Sequence, residues 1–404
     1  MRILKYVVWI VATSSIIVIA TVFIIIYWGT YSRNAIECNI TRIEVSPVWD
    51  AEKLDEAFQF GCEMGSTSLI VVTNGEVVKS MGELDKPLFL HSVRKALLSA
   101  IVGQHVGTGP NQINIESTLE ELEINDKPIP LTPLQQQAKV LHLIKSISGI
   151  NHPAAAEGGL MEEEKNKRLG REPNPPGTVW AYNNWDYNAL TTIFEQETGL
   201  TIYEAFNKGI AEPLEMQDFS EKSVYYEYEK DLSKHPKAGF KMSARDLVKF
   251  GQLYLNKGKW NGKQIVPEGW IDRITNDYTI TGKKLLRSGH GYLWWVPADN
   301  KSREMGIPEG SYVAQGFGCQ RIVVIPLWDT VIIHQVNAID CIVSVMQKQE
   351  TSFIGAIRYL YMCKFPLFSL REGCQECGFV GNFMGSGFAK ILSKIIDARI
   401  TKIQ

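Results

Sequence analysis

Strand-like segments lie at the two ends of a long region of this chain, and helical segments lie between them. The first two strands are joined by Asn74-Gly75, a dipeptide that favours the type I′ turn of a tight hairpin. The predicted strands are 68–73, 76–80, 292–296, 320–325 and 330–335. Because strands flank the helical part, the sequence predicts one sheet built from about 66–90 and 290–336, with an inserted helical lobe over about 92–255.

The helical segments are defined by apolar periodicity and by their end signals. Gly103 and Gly199 end two of them, and Ser243 is placed to cap a third. The predicted helices are 92–102, 134–147, 188–198, 243–254 and 352–361. A cleft between the sheet and the helical lobe is the expected ligand site.

An uncharged apolar run occupies residues 6–28, and about 20 such residues are enough for a helix to cross a bilayer. Arg2 and Lys5 precede it, so the positive-inside rule places the N-terminus in the cytoplasm and the rest outside the membrane, in the periplasm or the extracellular space. A cleaved signal peptide is the alternative. Its apolar core would be shorter and followed by small residues, whereas this run ends in bulky residues 26–28. The sequence therefore predicts a retained anchor over residues 1–29.

Charge and cysteine usage exclude some partners and leave others open. The formal net charge of −2 gives no reason to expect nucleic acid as a partner. The seven cysteines are an odd number, so at least one is free or paired with another chain. Cys374 and Cys377 form a C-x-x-C pair with only Cys363 nearby and no following His, which argues against zinc and leaves a disulfide or two thiols. We predict no metal site and no cofactor.

Ser92-Val93-Arg94-Lys95 is an S-x-x-K motif at the start of an apolar helix. Its i, i+3 spacing puts Ser92 and Lys95 on one helix face. A serine hydroxyl needs a nearby base to become a nucleophile, and a lysine serves if burial and neighbouring cations lower its pKa. Alone the motif is weak, because a helical Ser and Lys are commonly surface residues.

A second element, Tyr182-Asn183-Asn184, stands about ninety residues later at the mouth of a predicted helix. A tyrosine near a lysine ammonium can titrate low enough to act as a base or proton shuttle. The Asn184 amide can donate to a substrate carbonyl. The competing interpretation is a turn with Tyr182 packed in the core.

Together these motifs resemble the class C β-lactamase-related serine hydrolases, within the β-lactamase and penicillin-binding-protein superfamily. The resemblance runs from about 69 to 361. Further matching stretches are 142–149, 176–184, 242–255, 258–260 and 291–295. It implies an α+β, β-lactamase/transpeptidase-like fold, an antiparallel sheet flanked by helices with a mainly helical insertion. The hydrolase domain would span 40–361, leaving 362–404 as a tail of unknown role.

Carried over by position, the resemblance makes Ser92 the acylated nucleophile, Lys95 its proton acceptor and Tyr182 the relay to the leaving group. Asn184 would orient the substrate. The third motif falls at Ala314-Gln315-Gly316-Phe317. Gly316 would border the substrate, and the Phe317 N–H with the Ser92 N–H would form the oxyanion hole.

The third motif departs from the family at Ala314, where a Lys or His usually helps to bind a substrate carboxylate. Without that cation a buried carboxylate lacks its partner. The sequence therefore favours an esterase or amidase acting on a small-molecule or peptide-like substrate. Two alternatives remain: a non-catalytic member that binds a cell-wall or peptide ligand, and a true penicillin-binding peptidase or β-lactamase.

Three further features are weaker candidates. His290 and His152 have a side chain suited to acid–base work, but either is more commonly a hydrogen-bonded structural residue. The amphipathic stretch 388–400 is suited to contact a membrane or a partner, or to pack on the domain.

Overall fold

The structure is a computed structural model that describes residues 39–42, 47–157, 160–337 and 386–400. The helices are α1 (Ala51–Glu63), α2 (Arg94–Gln104), α3 (Pro133–Gln136), α4 (Val140–Ile144), α5 (Leu160–Leu169), α6 (Asn184–Thr198), α7 (Ile202–Phe206), α8 (Ala244–Leu255), α9 (Glu268–Asn276), α10 (Asn300–Glu304) and α11 (Ser386–Asp397). The strands of the main sheet are β1 (Ile40–Arg42), β2 (Ser68–Thr73), β3 (Glu76–Gly82), β9 (Thr279–Ile280), β10 (Gly289–Gly291), β11 (Trp294–Val296), β12 (Tyr312–Gly316), β13 (Gln320–Ile325) and β14 (Thr330–Gln335). Smaller sheets use β4 (Leu88–Phe89), β5 (Val224–Glu227), β6 (Lys237–Met242), β7 (Lys259–Trp260) and β8 (Lys263–Gln264).

The main sheet joins the early strands to the late ones. Its order is β1-β3-β2-β14-β13-β12-β11-β10-β9, and each neighbouring pair is antiparallel. The central strands β2, β13 and β14 are buried along their whole length, as expected of strands with packing on both faces. The predicted α+β fold with an antiparallel sheet and an inserted helical lobe is confirmed.

Two hairpins show how local sequence sets the sheet. Asn74 and Gly75 adopt φ values of 54° and 77°, which is the backbone of the predicted type I′ turn. The predicted strand 292–296 is partly wrong, because Tyr292 and Leu293 have φ of 49° and 71° and form the turn between β10 and β11. Non-glycine residues rarely adopt this conformation, so sequence alone gives no sign of the turn.

Three helices place the site against the inner face of the sheet. Of the eleven residues of α2, all but Gln104 are buried, so this helix forms the centre of the core. Helix α8 packs on β13 and β14, and Ser243 caps it as predicted. Helix α6 begins at Asn184 and is capped at its C-terminus by Gly199, whose φ of 70° is the left-handed conformation of a helix C-cap.

The two ends of the chain are only partly described. The predicted anchor, residues 1–29, the predicted helix 352–361 and the C-x-x-C pair lie outside the described residues. Within the described ranges, no helix combines the length and hydrophobicity required to cross a membrane. From the tail, α11 packs against α1, and the following segment bonds back to the domain through Ile400 N–H to Val48 O at 3.0 Å. The 40–361 domain boundary stays a prediction.

A buried carboxylate holds the loops of the helical lobe together. Asp126 accepts hydrogen bonds from Trp185 Nε1 at 2.7 Å, Ser233 Oγ at 2.9 Å and the Lys234 amide at 2.9 Å. His152 Nδ1 lies 3.4 Å from the same carboxylate. Burial by itself would raise the pKa of Asp126, but the hydrogen bonds from His152, Lys234 and Trp185 outweigh it and lower the pKa to about 2.

We expect Asp126→Asn to lower the free energy of unfolding by about 2 kcal/mol at neutral pH, the value of a shift from 3.8 to about 2. A depressed folded-state pKa gives stability that is present above 3.8 and lost as pH falls toward about 2. Denaturant unfolding at several pH values should therefore show the gap between wild type and variant closing in acid. Asp231→Asn, at an exposed position, is the control, and an equal loss there would contradict the assignment.

Candidate active site

Ser92 stands on a short helical turn that leads directly into α2. The 3₁₀ turn His91–Val93 is anchored by Leu90 N–H, which donates to Phe240 O in β6 at 2.9 Å. His91 has a φ of 48°, a strained conformation for a non-glycine residue and one often found at functional sites. The Ser92 side chain is partly exposed. Its backbone N–H belongs to the first turn of a helix, where N–H groups have no partner within the helix.

Lys95 lies one turn further along and is buried against the Ser92 side chain. Its Nζ is 2.9 Å from Ser92 Oγ and 4.7 Å from the ring centroids of both Tyr182 and Tyr187. Burial, followed by the positive charges of Arg94 and Lys237, lowers the pKa of Lys95 well below its usual value of 10.5. An amine of this kind is able to accept the proton of the adjacent hydroxyl.

Tyr182 completes a convergent group of three side chains. Its phenol shares a hydrogen bond with the Ser92 side chain, and its ring stacks on Trp295 with centroids 5.5 Å apart. Burial raises the pKa of Tyr182 to about 12, opposite to the lowered pKa that the sequence interpretation expected. The reason is that burial disfavours the charged phenolate by more than the Ser92 hydrogen bond and the charges of Arg94 and Arg287 favour it. Tyr182 is thus held as a protonated donor.

The third motif forms the opposite wall at the end of β12. A methyl group added at Gly316 would lie 2.3 Å from Leu90 O and 3.3 Å from Ser92 N. Strand β12 therefore runs against the His91–Val93 turn at a distance that only glycine allows. Ala314 pairs with Ile322 and is buried, so its position supplies no cation. Phe317 follows Gly316 with its side chain 38% exposed, and its ring lies 5.5 Å from that of His91.

A family model described as Beta-lactamase matches residues 52–338. The chain belongs to the beta-lactamase family. A relative from Alkalihalophilus pseudofirmus, itself an uncharacterized protein, is 24% identical over 278 residues, which cover 63% of this chain and 74% of the relative.

Solved structures of this family share the fold at low sequence identity. A penicillin-binding protein homologue from Pyrococcus abyssi, described as octameric, matches with a TM-score of 0.51 and 16% identity over 78% of this chain and 81% of its own. A Bacillus anthracis protein, provisionally named a 6-aminohexanoate-dimer hydrolase, matches with a TM-score of 0.50 and 22% identity. The match covers 69% of this chain and 75% of the other. At these identities the likeness supports the fold alone.

Asn184 is placed differently from the other predicted residues of this beta-lactamase family member. It opens α6 with a half-buried side chain, and its backbone N–H donates to the Glu157 carboxylate. Within the described residues, its side chain makes no hydrogen bond to Ser92, Lys95 or Tyr182. Its contact with substrate stays a prediction.

The two histidine candidates separate in space. His290 lies in the wall of the site, 4.9 Å from the Trp295 ring and 6.3 Å from the Tyr182 ring. Burial and then the charge of Lys95 lower the pKa of His290 to about 3, so it is neutral. His152 belongs instead to the Asp126 cluster. In the part of the chain that the structure describes, no group of three or more His, Cys, Asp or Glu residues is placed to hold a metal.

Sequence reasoning missed most of the residues that surround Lys95. Arg94 lies inside the first motif, where it donates to Asn188 Oδ1 at 3.0 Å, but its electrostatic effect on Lys95 needs the fold. Lys237 comes from β6, where it pairs with Glu227 at 2.7 Å. Tyr187 faces Lys95 from α6. The spacing of the sequence does not show that α2, β6 and α6 meet around Lys95. Arg94 alone could be noticed from the sequence, because it lies inside the S-x-x-K motif.

The rate of acylation is expected to rise with pH as Lys95 loses its proton. Because the pKa of Lys95 is lowered, the rising limb of kcat/KM should lie below pH 10.5, and Tyr182 should cause no fall before about pH 12. Arg94→Met removes a cation and should move the rising limb to higher pH. The pH profile with p-nitrophenyl butyrate, which does not titrate, measures this. Arg245→Met, whose guanidinium bonds Asp218 instead, is the control, and an unmoved limb in Arg94→Met contradicts the prediction.

Proposed function

We propose that the protein is a serine hydrolase that cleaves an ester or amide bond through an acyl-enzyme on Ser92. The observation that carries this proposal is the 2.9 Å contact between Ser92 Oγ and the Lys95 amine, whose pKa is lowered. A nucleophile beside a base whose pKa is lowered is the arrangement that covalent catalysis requires.

The steps follow from the positions of the three side chains. The Lys95 amine takes the Ser92 proton as Oγ attacks the substrate carbonyl carbon, and the carbonyl oxygen becomes an oxyanion. We propose that the Ser92 and Phe317 N–H groups stabilise that charge. Tyr182 donates its proton to the leaving alcohol or amine and is reprotonated by Lys95. A water molecule then attacks the acyl-enzyme, giving its proton to the same relay, and Ser92 departs with the returned proton.

Ala314 supports a substrate that has no carboxylate at that point of the site. The residue is buried and apolar, so an anionic group placed there would lose its hydration without gaining an ion pair. This favours an esterase or amidase over a β-lactamase or a D-Ala-D-Ala peptidase. The exposed Phe317 ring and its neighbour His91 instead offer an aromatic surface beside the oxyanion position.

A labelling experiment tests the proposal. A fluorophosphonate probe should label the purified protein on the peptide that contains Ser92, and p-nitrophenyl acetate or butyrate should be hydrolysed. Ser92→Ala should lose both, whereas Ser117→Ala, a partly exposed serine outside the site, should keep both. Full activity in Ser92→Ala would end the proposal. A folded wild type that neither labels nor turns over would favour the non-catalytic binding protein, and capture of a fluorescent penicillin would favour the penicillin-binding alternative.

We also propose that residues 1–29 anchor the protein in a membrane with the hydrolase domain outside the cytoplasm. The support is the uncharged run 6–28 and the two cations before it. The full chain should then partition with membranes after a carbonate wash, and a chain lacking residues 1–29 should be released. External protease should reach the domain in intact spheroplasts, and protection there would contradict the orientation.

A further inference from the structure

The loop that carries the Phe317 N–H has an unusual backbone. Gly318 and Cys319 have φ values of 70° and 63°. Glycine adopts such a conformation freely, but Cys319 does not, so the loop must be held by its surroundings. What holds it decides where the Phe317 N–H points.

Two buried side chains hold three carbonyls of this loop. Arg321 Nη1 donates to Gly316 O and to Gln320 O, each at 2.8 Å. His334 Nδ1 lies 2.7 Å from Cys319 O, and its Nε2 lies 2.7 Å from Ser66 Oγ. Since a carbonyl only accepts, Nδ1 carries the proton and Nε2 accepts from the Ser66 hydroxyl. The loop is therefore bonded on both sides of Phe317.

These side chains lie on the face of the sheet opposite the nucleophile. Ile322 and Val331 face Gly251 of α8, on the inner side. Side chains alternate along a strand, so Arg321 and His334, which pair across β13 and β14, point to the outer side. A carboxylate partner for Arg321 is absent among the described residues.

A residue of the C-terminal helix covers this pair. The Phe388 ring of α11 lies 5.4 Å from Arg321 Cζ and 5.0 Å from the His334 ring, and Phe388 is buried. A guanidinium over an aromatic face is attracted to it, more strongly where water is excluded. Phe388 thus fixes the orientation of the guanidinium that bonds the loop.

We propose that Arg321, His334 and Phe388 act as an outer-face buttress that sets the position of the Phe317 N–H, so that α11 completes the active site from behind the sheet. The three are positioning residues, and none touches the substrate. Their effect on turnover rests on the proposed function, but their effect on the loop does not. The tail that sequence analysis left without a role thereby becomes part of the catalytic structure.

Phe388→Ala tests the buttress. It should lower kcat for p-nitrophenyl butyrate about 10- to 100-fold with KM changed less than about threefold. The reason is that displacing a hydrogen-bond donor by a fraction of an ångström weakens its bond to the transition state more than its bond to the ground state. Phe388→Leu keeps an apolar side chain over Arg321 but removes the aromatic face, so its kcat should lie between those of Phe388→Ala and wild type. Leu392→Ala removes an equally buried side chain of α11 and should leave kcat within about twofold.

Hydrogen exchange separates the buttress from the catalytic proposal. The peptide spanning 316–320 should exchange faster in Phe388→Ala than in wild type and Leu392→Ala, whether or not the protein turns over an ester. Faster exchange without any Ser92-dependent activity in wild type would support the buttress and reject the hydrolase. Unchanged exchange and kcat in Phe388→Ala, or equal losses in Leu392→Ala, would overturn the buttress.

Discussion

Lys95→Met is expected to lower kcat/KM for p-nitrophenyl butyrate by about 10⁴-fold or more, the range seen when a base of a hydrolytic group of residues is removed. The fold should not suffer. Folding of the wild type at neutral pH carries the cost of burying an amine that is protonated in the unfolded chain, and methionine removes that cost at similar length. We therefore expect the Tm of the variant to equal or exceed that of wild type.

The stability of the same variant supplies an independent check through its pH dependence. Because the folded-state pKa of Lys95 is lowered from 10.5, the unfolded chain binds more protons, and the wild type should gain stability as pH rises toward 10.5. Lys95→Met should lose that gain. Denaturant unfolding of both proteins at several pH values gives the comparison.

A matched control is available in Lys79, a second buried lysine. It lies in β3, pairs with Asp55 and contacts Phe58, on a part of the sheet remote from the nucleophile turn. Lys79→Met should leave kcat/KM within about twofold while changing stability. If Lys95→Met kept more than about a tenth of the wild-type rate, another group would have to be the base.

The fold was predictable wherever one local signal agreed with burial. The strands 320–325 and 330–335 have the predicted bounds because runs of β-branched residues sit in the middle of the sheet. The predicted helix 134–147 is instead two short helices. Lys139 is extended, with ψ of 158°, and forms a β-bridge with Thr118. Next to it, Leu119 N–H donates a hydrogen bond to Ala138 O at 2.8 Å. That tertiary pairing overrides the local helical preference.

The same distinction between local and assembled features applies to the site. The motifs predicted Ser92, Lys95 and Tyr182, because each residue belongs to a short segment with a recognisable pattern. The pKa values of Lys95 and Tyr182 were harder to predict from the sequence. That of Lys95 falls as expected, but that of Tyr182 rises because stacking on Trp295 encloses the phenol, and Trp295 lies more than a hundred residues away. Enclosure is a property of the assembled fold, so no motif contains it.

Gly316→Ala should strongly impair catalysis although it adds only one methyl group. The Gly316 backbone is extended, with φ of −124° and ψ of 157°, so alanine is not excluded by its dihedral angles. The obstacle is contact, because the new methyl would lie 2.3 Å from Leu90 O and 3.3 Å from Ser92 N. Relieving it requires β12 and the nucleophile turn to separate by about 1 Å, and a displacement of that size can reduce catalysis by about 10²-fold.

We expect kcat to fall about 10²-fold or more, since both proposed oxyanion donors, Ser92 N–H and Phe317 N–H, border the widened gap. Labelling of Ser92 by the fluorophosphonate should slow in proportion, because it forms the same charged oxygen. Gly269→Ala is the control: no atom lies within 4 Å of its added methyl, and the exchange within a helix should leave kcat unchanged. A Gly316→Ala protein with normal kcat would show that β12 does not hold the proposed oxyanion donor, Phe317 N–H, against Ser92.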